Sequence, residues 1–589
     1  MGSKTILERS SKTIFLIPEK NLTRDQRDQL TENGISVHKF KNGYRYANIS
    51  IENLKLINEI IGRRNIEYDA SLYAEVRYLR QQSKNIREAQ KIKTMNKHEL
   101  YKMARELNLE FPETYPPFLH QIRGLLFLWL VARAGLYYDA GLGKTYINAL
   151  LIENMKKQGI AKNMLVICPA NIIELGWMDD IYKYTDLKAK DGRVQSGSKR
   201  EKVQNMETGE DIILQSFNGF RALTSYFRRK GAFDIICLDE SSIVKNWTGG
   251  TTKAVKEAYC PRIVLASGTP APNSYIEYFS QAWVIGQVLG NTLGAFREKY
   301  MFQPNVEKAP HFWVWKSNRH EERVLEKLDP YVIYAKQSEW IDAPDRMEVP
   351  LYYDLTPKQK KHYKEVEEEY FTIIEDEEIY IRSAMNIKAK LAQVINGFLF
   401  PNPTEENPNP DPIPIENPAE KTPKFVRMKE KVEQILANPE NNIVIWARFK
   451  HDIKVIAKML KKYNPAVVYG GTSPNKKIKE LKRWKNDDLC RVIISNPKST
   501  KFGHTWLKAN YMFWFSVTES YEDYYQASMR NSRIGQEHKS VVDIRMIAID
   551  TIDPDLYRAV EQKRDLRDVT FDRKGGRSGC TGNTELSQD

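Results

Sequence analysis

Three groups of residues have types and spacings suited to a phosphorylated substrate. Gly141-Leu142-Gly143-Lys144-Thr145 follows apolar Leu136-Tyr137-Tyr138 and precedes a helical run, Tyr146 to Glu153. Strand, glycine turn and helix form a phosphate cradle: the glycines let backbone N–H groups approach the oxygens, and the helix start adds its positive end. Lys144 would meet the β- and γ-phosphates, and the Thr145 hydroxyl would ligate Mg²⁺. Tyr138 stands where the GxxxxGK[ST] pattern has its first glycine, so a glycine turn with an incidental Lys-Thr pair is the plain alternative. Downstream, Asp234-Ile235-Ile236-Cys237-Leu238-Asp239-Glu240 is an apolar strand ending in adjacent carboxylates. Asp239 would hold the metal's water shell, and Glu240 would orient the attacking water as base. The third group is Gln526 to Gln536, in which Arg530 and Arg533 share one face if the turn is helical. Two guanidinium groups so placed suit a γ-phosphate whose charge spreads in the transition state; a solvated basic helix is the alternative. Together the groups point to hydrolysis of a nucleoside triphosphate.

The elements around them are legible from periodicity. Residues 111–290 repeat strand, turn and helix, with buried-strand runs at Leu165 to Cys168, Asp211 to Leu214, Asp234 to Leu238 and Arg262 to Ala266. That alternation predicts a parallel sheet covered on both faces. A second α/β block spans 424–565, with strands expected at Ile443 to Trp446, Ala466 to Tyr469, Arg491 to Ile494, Tyr511 to Phe515 and Val541 to Ile547. Between them, 291–423 is richer in charged helix and ends in Pro401 to Pro423, whose eight prolines read as an exposed linker or insertion. Residues 1–110 read as an accessory module: a small α+β unit, then charged helix from Leu72 to Leu107. In it, Thr23 caps a helix that Gly34 ends, and Asn42-Gly43 marks a hairpin between Ile35 to Lys41 and Tyr44 to Ile49. Substrate recognition and plain scaffolding are equally open for this module. The tail, 566–589, reads as disordered.

Composition narrows the classes. The 589 residues carry 90 Lys and Arg against 76 Asp and Glu, a net charge of +14 that favours a polyanionic partner. The longest apolar run, Leu125 to Ala132, falls far short of the ~20 residues of a membrane span, so no membrane partner is expected. No secretory signal opens the chain, and Ile6 fails the myristoylation pattern. Five scattered cysteines with no CxxC pair fit a reducing compartment without a zinc site.

Further segments stand in order along 111–565. They are His120-Gln121-Ile122-Arg123-Gly124, Asp139 to Thr145, Leu165 to Trp177 (LVICPANIIELGW), Gln215-Ser216-Phe217, Asp239-Glu240-Ser241-Ser242 with Lys245-Asn246, Ser267-Gly268-Thr269-Pro270 with Pro272-Asn273, and Gln526 to Gln536. In this order the chain resembles helicase superfamily two, and within it the switch/sucrose-nonfermenting class of double-stranded DNA translocases, whose QAxxRxxRxGQ is the most specific match. The resemblance implies two RecA-like parallel-sheet lobes with helical protrusions and ATP and Mg²⁺ held between the lobes. It implies that Gln121 reads adenine, that Gly503 and Gln526 also face the nucleotide, that Ser267-Gly268-Thr269 couples hydrolysis to movement, and that the loop before Trp177 grips DNA backbone. Two departures stand out: Ser242 replaces the family's coupling His, and Ser495 to Asn510 keeps Ser495 and Gly503 but inserts Pro497 and lacks the paired glycines.

The expected function is an ATP-dependent DNA translocase or helicase acting on duplex or branched DNA with little sequence specificity, in a bacterial or infected-host cytoplasm, or a nucleus if eukaryotic. The alternatives are a strand-separating helicase or the translocase subunit of a nuclease complex, and, outside enzymes, a DNA-binding scaffold with a vestigial nucleotide site.

Overall fold

The N-terminal strands are short and gain stability only as a sheet. β1 (Thr5–Ser11), β2 (Ile14–Pro18), β3 (Tyr44–Asn48) and β4 (Ile66–Tyr68) form a mixed sheet in the order β3-β2-β1-β4. Leu7, Phe15, Ile17, Leu30, Leu54 and Ile57 join in one core beneath it. The helix Arg24–Glu32 starts where the Thr23 hydroxyl accepts from the Gln26 N–H while the Gln26 side chain accepts from the Thr23 N–H. Of the expected hairpin partner of β3, the described residues Ile35 to Val37 contribute one bridge, Val37 to Arg45, and residues 38–41 lie outside the described residues; β3 also pairs with β2. Two helices, Tyr73–Ile92 and Lys97–Glu106, lead onward. The computed structural model describes residues 5–562 apart from 12–13, 38–42, 194–197, 208, 230, 305–312, 341–343, 370, 375–376, 381–383, 501–505, 532–535, 537 and 539. Asn42 of the hairpin turn and the C-terminal tail therefore lie outside the described residues.

The described residues divide into two units at Trp340. In the first, β5 (Arg133–Tyr138), β6 (Met164–Cys168), β7 (Ala189–Asp191), β8 (Ile212–Ser216), β9 (Ile235–Asp239) and β10 (Arg262–Ala266) belong to a parallel sheet. A minor antiparallel pair, β11 (Met301–Phe302) and β12 (Val314–Trp315), follows. β13 (Val332–Ala335) then returns to the large sheet, completing the order β13-β5-β10-β9-β6-β8-β7. β6 and β9 are buried at every residue, as a sheet covered on both faces requires. β7 and β13 lie outside the expected strands: β7 is a three-residue run with two charged residues, and β13 falls within 291–423, which reads as richer in charged helix. Gly135 of β5 makes room for β13: a Cβ there would lie 2.7 Å from Val332 Cγ1.

The second unit holds a parallel sheet of β14 (Asp345–Tyr353), then β19 (Ile443–Trp446), β20 (Ala466–Val468), β21 (Val492–Ser495), β22 (Tyr511–Trp514) and β23 (Ser540–Ala548). Their order is β14-β23-β22-β19-β21-β20. Between β14 and β19 come two antiparallel pairs, β15 (Phe371–Ile374) with β16 (Glu377–Tyr380) and β17 (Phe398–Leu399) with β18 (Ile413–Pro414). Alternation explains the continuous apolar runs: Ile443 and Ile445 join one core, Val444 and Trp446 the other. β14 was hidden because it is an edge strand, largely exposed and carrying Pro350. Of the stretch read as an exposed linker or insertion, 403–409 is exposed, whereas β18, Ile415, Ala419 and Thr422 pack into the unit, a correction to its exposure there.

Candidate nucleotide-binding site

The glycine turn connects the end of β5 to the helix Lys144–Lys157. Gly141 and Gly143 have φ +85° and +74°, backbone that side-chain-bearing residues rarely adopt. Gly143 has a second constraint: a Cβ on it would fall 2.2 Å from Gln121 Nε2. Leu142 is buried, and its carbonyl accepts from His120 Nε2 at 3.2 Å and Gln121 Nε2 at 3.5 Å. Because a carbonyl only accepts, His120 carries its proton on Nε2. Gln121 Oε1 accepts from the Phe118 N–H at 2.9 Å, so this side chain braces the turn from beneath. Burial and the Arg123 charge push the His120 pKa down to about 4, against its hydrogen bond to the Leu142 carbonyl. Lys144 Nζ donates to the carbonyls of Tyr138 (3.0 Å) and Asp139 (3.2 Å), folding back over the cradle, and half-buried Thr145 follows it in the first helical turn. Asp139 is held from β13: its N–H donates to the Ala335 carbonyl, and its Oδ2 accepts from the Gln337 N–H, both at 3.0 Å.

The carboxylate pair ends β9. Asp239 Oδ2 accepts from Trp177 Nε1 at 2.7 Å, and Oδ1 accepts from the Glu240 N–H at 3.1 Å. Burial holds the Asp239 carboxyl above the usual carboxylate range, opposed by the Lys144 charge and these two hydrogen bonds. Glu240 is left-handed, φ 58° and ψ 57°, a conformation that a non-glycine residue keeps only when its surroundings impose it. After β10, Ser267 Oγ accepts from the Thr269 N–H at 3.1 Å, and Gly268 approaches the cradle so closely that a Cβ would sit 3.4 Å from the Tyr138 carbonyl oxygen. The Thr269 hydroxyl is buried without a hydrogen-bond partner.

In the second unit, the helix Tyr521–Ser528 carries buried Gln526 and ends at Ser528. Arg530 therefore lies past its C-cap, Met529, and the helical face expected for Arg530 and Arg533 does not start from this helix. Arg530 is 1% exposed, and its carbonyl accepts from the Trp506 N–H at 3.0 Å. Burial, with the Arg530 charge, lowers the Lys477 pKa, as expected where two cations stand together. Gly503 and Arg533 lie outside the described residues. The contacts of Trp177 and Gln337 with the site are not legible in the sequence because each acts across the fold: Trp177 closes the Leu165–Trp177 segment without showing its bond to Asp239, and Gln337 reaches Asp139 through its backbone N–H.

The SNF2-related domain family matches residues 120–408, and the helicase conserved C-terminal domain family matches 427–535. The chain carries an SNF2-related domain followed by a helicase conserved C-terminal domain. This SNF2-related chain is 23% identical over 439 residues to an uncharacterized ATP-dependent helicase of Mycoplasma pneumoniae, covering 74% of this chain but only 40% of that protein. It is 21% identical over 483 residues to putative protein p41 of Acyrthosiphon pisum secondary endosymbiont phage 1, covering 78% and 99%. Among solved structures, a Sulfolobus solfataricus SWI2/SNF2 ATPase core in complex with dsDNA is similar at 20% identity and TM-score 0.37, covering 79% of this chain and 95% of that one. No helix among the described residues is long and apolar enough to cross a membrane.

No cluster of three metal-ligating side chains occurs among the described residues of the SNF2-related chain. The site does fit a cation carried by phosphate oxygens: the Thr145 hydroxyl and the Asp239 carboxylate stand beside a cradle with two positive-φ glycines.

Proposed function

We propose that this chain couples hydrolysis of ATP·Mg²⁺ to movement along duplex or branched DNA with little sequence specificity. Its SNF2-related and helicase C-terminal domains support ATP hydrolysis. One observation supports the assignment of residues: β5, β10 and β9 are adjacent parallel strands, so the glycine turn, Ser267-Gly268-Thr269 and the Asp239-Glu240 pair leave the same edge of one sheet.

Backbone N–H groups of the turn and Lys144 bind and orient the phosphates. Glu240 takes a proton from the water whose oxygen bonds to the γ-phosphorus. The bond from that phosphorus to the β–γ bridging oxygen breaks, giving ADP and inorganic phosphate. Thr145 and Asp239 would hold Mg²⁺ carried by the nucleotide, which would supply charge neutralisation at the phosphate oxygens. Gln121, Gly503 and Gln526 are proposed nucleotide contacts, and Arg530 and Arg533 the guanidinium groups that meet transition-state charge. Ser267, Gly268 and Thr269 are the proposed coupling segment. The net charge of +14 favours the DNA backbone, whose phosphates position a protein without reading sequence. The Mycoplasma and phage relatives favour a bacterial cytoplasm, or that of an infected cell.

Phosphate release from ATP, measured with and without duplex DNA, tests this reading. Wild type turns over faster with DNA, and Lys144→Ala abolishes turnover. Wild-type turnover that ignores DNA would refute the translocase, and an active Lys144→Ala would refute the site.

A further inference from the structure

Glu240 holds a strained backbone conformation, so something must impose it. Its own N–H is tied to Asp239 Oδ1, and its carbonyl accepts from the Ile243 N–H. Both contacts are local to the turn. A tie from the turn to two other segments of the sheet comes from Gln281, in the helix Tyr278–Gly286, a side chain fully withdrawn from solvent. Gln281 Oε1 accepts from the Ser241 hydroxyl at 2.9 Å and the Tyr137 hydroxyl at 3.1 Å, while Nε2 donates to the Pro270 carbonyl at 2.6 Å. The amide has one orientation, since the Pro270 carbonyl needs a donor and the amide oxygen faces two hydroxyls. Its three partners are the residue after Glu240, the strand residue leading into the glycine turn, and the residue after Thr269.

We infer that Gln281 is the positioning residue of this site: it fixes the Asp239-Glu240 turn against the Ser267–Pro270 segment and the end of β5, so that movement of any one of these segments is felt by the others. Gln281 touches no substrate and acts through Ser241, Pro270 and Tyr137. A buried amide with both ends engaged is rigid, because turning it sets two oxygens face to face and leaves buried polar groups unpaired. The helix Tyr278–Gly286 is otherwise almost wholly apolar, and Gln281 sits in its buried stretch. An apolar side chain of the same size would fill the space equally well, so packing does not account for an amide here.

The inference rests on the proposed ATPase reading, and two variants separate the two. Gln281→Leu keeps the volume and removes all three hydrogen bonds. Its kcat for ATP falls about tenfold or more, as expected for a misplaced catalytic group, while KM and fluorescent-nucleotide affinity stay within about twofold. Gln281→Glu restores the arrangement only when protonated, since the neutral carboxyl offers one donor and one acceptor. Its kcat relative to wild type therefore rises as pH falls. A folded Gln281→Leu with wild-type kcat overturns the inference, as does a Gln281→Glu to wild-type ratio that is flat with pH. If Gln281→Leu does not fold, the Gln281→Glu profile decides alone. Wild-type enzyme without ATP turnover would defeat the ATPase reading itself.

Discussion

Substituting Gly143 by alanine probes the cradle through two separable costs. An alanine at φ +74° pays roughly 1–2 kcal/mol for left-handed backbone. Its Cβ would also lie 2.2 Å from Gln121 Nε2, so the Gln121 side chain must leave. That departure breaks the hydrogen bond from the Phe118 N–H to Oε1 at 2.9 Å, worth about 1 kcal/mol, and the weaker 3.5 Å contact to the Leu142 carbonyl. The two costs place Gly143→Ala roughly 2–3 kcal/mol below wild type in urea unfolding, with weakened ATP binding because backbone N–H groups of the turn shift. Gln121→Ala removes the obstruction and its hydrogen bonds together. The double variant is therefore less destabilised than the two single variants combined, by about 1 kcal/mol, which a double-mutant cycle measures directly. Unfolding at the wild-type urea concentration, or strict additivity in the cycle, would refute this account of the turn.

Three further outcomes follow from particular contacts. Trp177→Phe removes the donor to Asp239 Oδ2 while keeping an aromatic body, and steady-state kinetics should show turnover falling roughly tenfold, the equivalent of one lost buried hydrogen bond to a charge. Glu240→Gln should retain nucleotide binding by equilibrium fluorescence while losing multiple-turnover phosphate release; loss of binding instead would contradict its role as base. His120, with a folded pKa near 4 against about 6.5 unfolded, stays neutral in the fold while the unfolded chain takes up a proton. Stability from this group is thus full above about pH 6.5 and falls by up to about 1.4 kcal/mol per pH unit as pH drops toward 4. His120→Asn should flatten that part of the curve in urea titrations at pH 7 and 5.

The chemistry of the first unit was legible because it is local. A glycine turn, a lysine, and carboxylates at the end of an apolar strand are each written in fewer than ten consecutive residues. Most long strands were legible for the same reason: Arg262–Ala266 and Ile443–Trp446 are unbroken apolar runs that only burial on both faces explains. β13 was not, because Val332–Ala335 becomes a strand only by pairing beside Gly135, nearly two hundred residues earlier in the chain. Arg530 shows a different limit: it would share a face with Arg533 only if the turn were helical, and whether it is depends on the fold beyond the helix that ends at Ser528.

What the sequence determined by itself was which functional groups exist and which short backbone shapes present them. Only the tertiary structure decided how those groups are held: Trp177 on Asp239, Gln337 on Asp139 and Gln281 among three segments, each bridging 11 to 198 residues of chain. Hydrogen bonds over such separations leave no periodicity and no motif. They arise because parallel strands set distant loops side by side, and a buried polar atom must then pair with whatever the fold has brought within reach.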